Sequence, residues 1–214
     1  MCNYLDCRNE IDDKKLQEVA NIIRQGGIVV FPTETVYGIG TNGLDSKSIS
    51  KLYHVKQRPL NKPISLLVSS LEMVKAVTEN ISDMEYKLME RFFPGPLTII
   101  LKKNKAVPNN LTNNTDTVGI RLPDNIIARK LIEYANVPIA TPSANISGKP
   151  SGINIQDIIK DFGDKVDYYI DGGPSKLGIG STIVKIDGNE PIILRKGSIS
   201  EEEINEVVNK YKNI

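Results

Sequence analysis

Three cations, Lys56, Arg58 and Lys62, fall within seven residues of one another. A planar guanidinium fork beside two point charges suits a triphosphate. The same residues also suit a solvated basic turn that complements the end of a helix. Two further arginines, Arg121 and Arg195, close separate apolar runs. Short polar loops adjoin such runs three times: Pro32-Thr33-Glu34-Thr35-Val36-Tyr37-Gly38, the hydroxyl- and amide-rich stretch from Thr141 through Ser143, Asn145 and Ser151 to Gly152, and Gly178-Ile179-Gly180-Ser181-Thr182. Loops of this composition can cradle an anion with backbone N–H groups and small side-chain donors. They also occur as inert turns, and Thr33 could simply satisfy backbone groups at a strand exit. Small polar loops at strand ends together with three basic positions (Lys56/Arg58, Arg121, Arg195) are better explained by one convergent anion site than by independent turns.

Two nucleotide signatures fail. Gly38-Ile39-Gly40-Thr41-Asn42-Gly43 fits G-x-G-x-x-G, but six residues separate it from the preceding apolar run and no acid stands about 20 residues beyond it. No glycine is followed by Lys-Ser or Lys-Thr at the spacing of a phosphate-binding loop. His54, one turn before Arg58, reads as a surface helix residue rather than a base.

The elements that must position these residues alternate. Asp12 is expected to cap a helix carrying Leu16, Val19, Ala20 and Ile23 on one face, ended by Gly26-Gly27 before a buried strand at 28–31. Asp45 caps a second helix that stops before Pro59. A strand at 64–68, a short helix after Ser70 and a Ser82-x-x-Glu85 capping box follow. Strands are expected at 97–101 and 117–122, flanking the best candidate for a flexible loop, Asn104 to Asp116. Asp124 is expected to cap a helix, followed by a strand at 137–140, a helix at 155–162, a strand at 168–170, a hairpin of 181–186 with 192–195 around Asp187-Gly188, and a terminal helix opened by Ser200-x-x-Glu203. This order predicts an α/β fold with a mixed sheet.

Composition narrows the function. With 214 residues, 40% hydrophobic and 25% charged, the chain can bury a core in one domain. Its 27 basic against 26 acidic residues exclude the uniform positive field of a passive nucleic-acid coat. Cys2, Cys7 and the single His54 cannot make a four-ligand zinc site. No apolar run is long enough to span a membrane and no leader is evident at the N-terminus, so a cytoplasmic protein is expected.

Taken in order, Pro32-Thr-Glu-Thr-Val-Tyr-Gly38, Lys56-x-Arg58-Pro59, Phe93-Pro-Gly-Pro-Leu-Thr98, Arg121-x-Pro123, Pro142-Ser-Ala-Asn145-x-Ser-Gly148, Gly180-Ser-Thr-Ile183 and Leu194-Arg195-x-Gly197 resemble the YrdC-like threonylcarbamoyl-AMP synthases. The resemblance implies a single-domain YrdC-like α/β fold with a twisted, open mixed β-sheet flanked by helices, a catalytic domain at 12–199, a C-terminal helix at 200–214 and no second domain. It implies an enzyme, a nucleotidyltransferase that joins L-threonine, bicarbonate or CO2, and ATP into threonylcarbamoyl-AMP and pyrophosphate. A partner protein would transfer the product to tRNA, and direct contact with tRNA is left open. Carried over by position, ATP contacts fall on Arg58, Lys62, Thr117, Ser143, Ser151 and Arg195. Lys56, Arg58, Ser143 and Asn145 form the catalytic Lys-x-Arg and Ser-x-Asn elements. Threonine contacts fall on Thr33, Arg121, Thr141 and Ser181. Mg²⁺ would be held mainly by the nucleotide, with no protein metal site. Where some relatives carry a histidine after Lys-x-Arg-Pro, this chain has Leu66-Leu67-Val68-Ser69. The alternatives are a noncatalytic RNA-binding module and a domain that forms carbamoyl-adenylate.

Overall fold

Alternation within one strand explains how helices come to lie on both faces of the sheet. In the run at 28–31, Ile28 and Val30 point into one apolar cluster and Val29 and Phe31 into another, and all four are fully buried. The structure is a computed structural model that describes residues 3–212. Its secondary elements are β1 (Tyr4–Asp6), α1 (Asp13–Arg24), β2 (Val29–Phe31), β3 (Gly38–Asn42), α2 (Ser46–Val55), β4 (Leu66–Leu67), α3 (Leu71–Val77), α4 (Asp83–Phe92), β5 (Leu97–Lys102), β6 (Thr117–Arg121), α5 (Ile126–Ala135), β7 (Ile139–Ala140), α6 (Ile155–Phe162), β8 (Tyr168–Asp171), β9 (Thr182–Asp187), β10 (Glu190–Arg195) and α7 (Glu201–Lys212).

The strands form one mixed sheet in the order β1-β8-β2-β3-β7-β4-β6-β5-β9-β10. Helices α1 and α5 cover one face, where Leu16, Val19, Ile23, Leu131 and Ile132 meet Val29, Phe31, Ile139 and Ile170. The larger cluster on the other face takes residues from α2, α3, α4, α6 and α7. No helix among the described residues is long and apolar enough to cross a membrane.

The expected caps at Asp12, Asp45, Ser70 and Ser82 all accept backbone hydrogen bonds from the first turns of their helices. At α5 the structure corrects the expectation. The cap is Asn125, whose Oδ1 accepts from the Ala128 N–H, and Asp124 stands one residue outside. The expected strand at 64–68 pairs only through Leu66 and Leu67, and that at 137–140 only through Ile139 and Ala140. Two strands are additional. β1 pairs in parallel with β8, and the Gly38–Asn42 segment is a strand antiparallel to β2.

That strand explains the glycines of the G-x-G-x-x-G pattern. A Cβ at Gly38 would stand 2.5 Å from the Thr141 side chain, and one at Gly40 would stand 2.6 Å from that of Ile139. They allow β7 to pack close against β3 and do not face a pyrophosphate. The stretch from Asn104 to Asp116 is a packed loop rather than an open one. It contains a 3-10 turn at Asn109–Leu111, Val107 and Leu111 are buried, and the Leu111 carbonyl accepts from Ile64 N–H. The C-terminal helix packs through the buried Ile204, Val207 and Val208. Cys7 is buried and unpaired, whereas Cys2 and the last two residues of the expected helix lie outside the described residues.

Candidate active site

Register brings the site together. Thr98 and Arg121 lie level across β5 and β6, Leu67 pairs with Arg121 across β4 and β6, and β9 starts beside β5 with Thr182 opposite Leu97. At these aligned ends opens a cleft of about 170 Å³. Seven of the sequence-predicted residues line it: Arg58, Arg121, Thr141, Ser143, Ser151, Ser181 and Arg195. Thr35, Ser65, Leu67 and Thr98 join them, and the lining contains no aspartate or glutamate.

The three arginines are held by different segments. Arg58, just beyond α2, donates from Nε to the Lys62 carbonyl at 3.0 Å and from Nη2 to the Pro63 carbonyl at 2.7 Å. Arg195, exposed at the rim, donates from Nε and Nη2 to the Ser181 carbonyl at 3.1 and 2.8 Å, and from Nη2 to Ser181 Oγ at 3.0 Å. Ser181 Oγ in turn lies 2.7 Å from Thr98 Oγ1. Gly197 permits this clasp, because a Cβ there would stand 2.4 Å from the Gly180 oxygen and the Thr182 nitrogen. Arg121, 7% exposed, donates from Nε to the Gly95 carbonyl at 3.2 Å, and its Nη2 lies 2.8 Å from Glu34 Oε2.

Loss of hydration lowers the affinity of all three guanidiniums for their protons, and at Arg195 the positive charges of Arg121 and Arg58 add to the effect. Arginine nonetheless stays ionised in proteins. Arg58 and Arg195 lean on carbonyl and hydroxyl oxygens, which leave their charge unneutralised. The cleft is therefore a positive, partly dehydrated recess floored by small hydroxyls, as an oxyanion-bearing ligand requires.

Five predicted residues do not line the cleft. Lys56 is 1% exposed and donates its three N–H groups to the carbonyls of Ser143 and Asn145, both at 2.6 Å, and to Asn145 Oδ1 at 3.2 Å. With no carboxylate beside it, burial pushes its ammonium down to about 7, and nearby Arg58 adds to the shift. Asn145, also buried, accepts from Ser143 Oγ at 2.6 Å and donates to the Ile146 and Lys149 carbonyls. Lys56 and Asn145 thus act as struts that hold Ser143 at the cleft wall.

Thr33 turns inward, its hydroxyl donating to the Val36 carbonyl at 2.6 Å, as in the turn reading of this loop. Lys62 is exposed, although its neighbour Pro63 lines the cleft. Thr117 opens β6 opposite Lys102, four residues before Arg121. His54 is exposed on α2.

From sequence, Thr35 and Glu34 belong to the polar loop at 32–38 and Thr98 to the 93–98 motif, but none of the three carries an assigned contact. Thr35 carries a usable signal in the structure. Because the Thr33 hydroxyl proton goes to Val36, the 2.9 Å contact between the two threonines takes the Thr35 proton, so Thr35 at the cleft has lone pairs but no proton to offer. No group of three or more His, Cys, Asp or Glu placed to hold a metal occurs among the described residues.

The Sua5/YciO/YrdC family model, described as telomere recombination, matches residues 21–197. The chain is 39% identical over 212 residues to a threonylcarbamoyl-AMP synthase of Pyrococcus abyssi, a match covering 99% of this chain and 62% of the relative. It is 40% identical over 197 residues to a putative threonylcarbamoyl-AMP synthase of Methanocaldococcus jannaschii, covering 92% of each. The crystal structure of P. abyssi Sua5 complexed with L-threonine superposes with a TM-score of 0.93 at 40% identity, over 95% of this chain and 60% of that one. The chain thus spans somewhat less than two thirds of the length of the Pyrococcus protein.

Proposed function

The chain belongs to the Sua5/YciO/YrdC family, and from that premise we propose that it joins L-threonine, CO2 or bicarbonate, and ATP into threonylcarbamoyl-AMP with release of pyrophosphate. The observation that carries this reading is the convergence of Arg58, Arg121 and Arg195 on one cleft floored by hydroxyls and free of carboxylates. The P. abyssi relative solved with L-threonine supports the amino acid as one substrate.

Arg121, held at Nε by Gly95 and at Nη2 by the charge of Glu34, presents Nη1 to the threonine carboxylate. Thr35 accepts from the substrate, while Ser181 and Thr141 bound a space of threonine size. Arg58 and Arg195, with Ser143 and Ser151, receive the nucleotide's phosphates. The neutral amine of threonine adds to CO2 and loses a proton, giving a carbamate. A carbamate oxygen then attacks the α-phosphorus and the bond to the β-phosphate oxygen breaks, releasing pyrophosphate. No side chain in the lining is placed as a general base, so positioning and charge stabilisation carry the rate. Partial dehydration also slows breakdown of the carbamate.

The lining gives Mg²⁺ no carboxylate cage, so the metal is proposed to arrive on the phosphates and water of the nucleotide. A transferase that passes the threonylcarbamoyl group to tRNA is the proposed consumer of the product. Pyrophosphate release from ATP and Mg²⁺ with bicarbonate tests the reading, comparing L-threonine, L-serine and no amino acid. Release that depends on both threonine and bicarbonate is expected. Release indifferent to the amino acid, or none from folded protein, overturns it.

A further inference from the structure

The cleft has a back wall, and one ion pair passes through it. Arg121 lines the cleft, whereas Glu34 lines a separate cavity of about 490 Å³ on the other side, bounded by the segment after β1, the start of α5 and the segment after β8. The two side chains meet in the wall with Nη2 and Oε2 2.8 Å apart, and each side chain is 8% exposed. Among the described residues the Glu34 carboxylate has no other partner. Neither of its carboxylate oxygens makes an aligned hydrogen bond, so its contact with Arg121 is a charge contact.

Neighbouring residues fix the backbone that carries this carboxylate. Thr33 and Thr35 are tied to each other on either side of it, and the Glu34 carbonyl accepts from Leu177 N–H at 2.9 Å. Arg121 is held at Nε by the Gly95 carbonyl, and its Nη2 is buried beside Glu34 without an aligned hydrogen bond, which leaves Nη1 as the guanidinium nitrogen with no protein partner among the described residues. The Nη1 donors can form a charge-assisted hydrogen bond to a carboxylate.

We propose that Glu34 is a positioning residue that holds the Nη2 side of the Arg121 guanidinium in the wall, so that the remaining Nη1 side faces the carboxylate of the amino-acid substrate. The assignment rests on the function proposed above and deepens it by naming what orients the carboxylate anchor. Glu34 does not touch substrate, because its side chain reaches the other cavity. A buried guanidinium without this counter-charge would turn toward other oxygens or draw in water, and Nη1 would lose its orientation.

The test compares wild type with Glu34→Gln and Glu34→Asp. KM for L-threonine and for ATP are read from pyrophosphate release, and L-threonine and L-threoninamide, which lacks the carboxylate charge, are titrated by calorimetry. Glu34→Gln is expected to raise KM for threonine by about tenfold or more and to leave KM for ATP within about twofold. It should also shrink the preference for threonine over threoninamide, with Glu34→Asp falling between the two. If Glu34→Gln fails to fold, the same pattern must appear in Glu34→Asp, which keeps the charge in the wall.

An unchanged threonine KM overturns the proposal. So does tighter threonine binding, which would make Glu34 a competitor for Arg121, and so does an equal loss for threonine and ATP, which would make the pair merely structural. Wild-type protein that releases no pyrophosphate with threonine overturns the proposed function and this assignment together, whereas an active wild type with an indifferent Glu34→Gln overturns this assignment alone.

Discussion

Lys56 and Arg58 are two residues apart and have different work. Arg58 faces the cleft, so Arg58→Ala should slow pyrophosphate release by on the order of 100-fold or more while the protein stays folded, as circular dichroism and kinetics would show together. Lys56→Met strips the donor from the Ser143 and Asn145 carbonyls and should destabilise by about 2–4 kcal/mol. The pH dependence follows from the direction of the shift. The folded Lys56 ammonium lies at about 7 against an ordinary 10.5, so between those values the unfolded chain holds more protons and stability rises with pH. The gain is at most about 1.4 kcal/mol per pH unit, and the burden of burial is greatest below pH 7. Urea unfolding at pH 7 and pH 9 should therefore show the gap between wild type and Lys56→Met widening at the higher pH. Sequence alone identified both cations but not this division, because Lys-x-Arg at a helix exit does not say which side chain points inward. The same limit applies at Thr33 and Thr35: both hydroxyls were visible, and only the folded turn shows that Thr35, not Thr33, lines the cleft.

Elements were legible wherever a cap or a period of 3.6 marked them. Asp12, Asp45, Ser70 and Ser82 each sit where a side-chain oxygen can reach the first free N–H groups. Asp124-Asn125 offered two adjacent capping types, and propensity does not separate them. Asn125→Ala should lose about 1 kcal/mol, whereas Asp124→Ala should stay within about 0.5 kcal/mol of wild type, as thermal unfolding of the pair would show. Strands were harder to read. β4 and β7 have two paired residues each, and β3 carries Gly38 and Gly40 where a strand would ordinarily show β-branched residues. Its extended form depends on the close approach of β7, a tertiary contact that no local pattern encodes. The loop from Asn104 to Asp116 shows the converse: its asparagines and threonines suggested mobility, but Val107 and Leu111 anchor it in the core.

At the scale of the whole molecule, the sequence order of helices and strands pointed to a mixed α/β sheet, but not to the neighbours of each strand, which long-range pairing decides. The C-terminal helix was expected outside the domain at 12–199, yet Ile204 and Val208 are fully buried against the main cluster. Ile204→Ala should thus destabilise the protein by about 2–5 kcal/mol, a core-sized loss that denaturant titration would report. The ten-stranded sheet is not closed, and β10 is one of its two borders. In the hairpin, Asp187 and Glu190 form the closing pair and Pro191 sits opposite Ile186 in the next. Pairs alternate along an antiparallel ladder, so the Pro191 nitrogen occupies a place where an N–H would otherwise point outward. Ile192 and Leu194 beside it are 42% and 56% exposed. A border strand so apolar invites a second sheet to dock along it, and a residue without a donor interrupts that docking. Pro191→Thr would restore the missing donor, and concentration-dependent self-association, followed by light scattering, is the expected result.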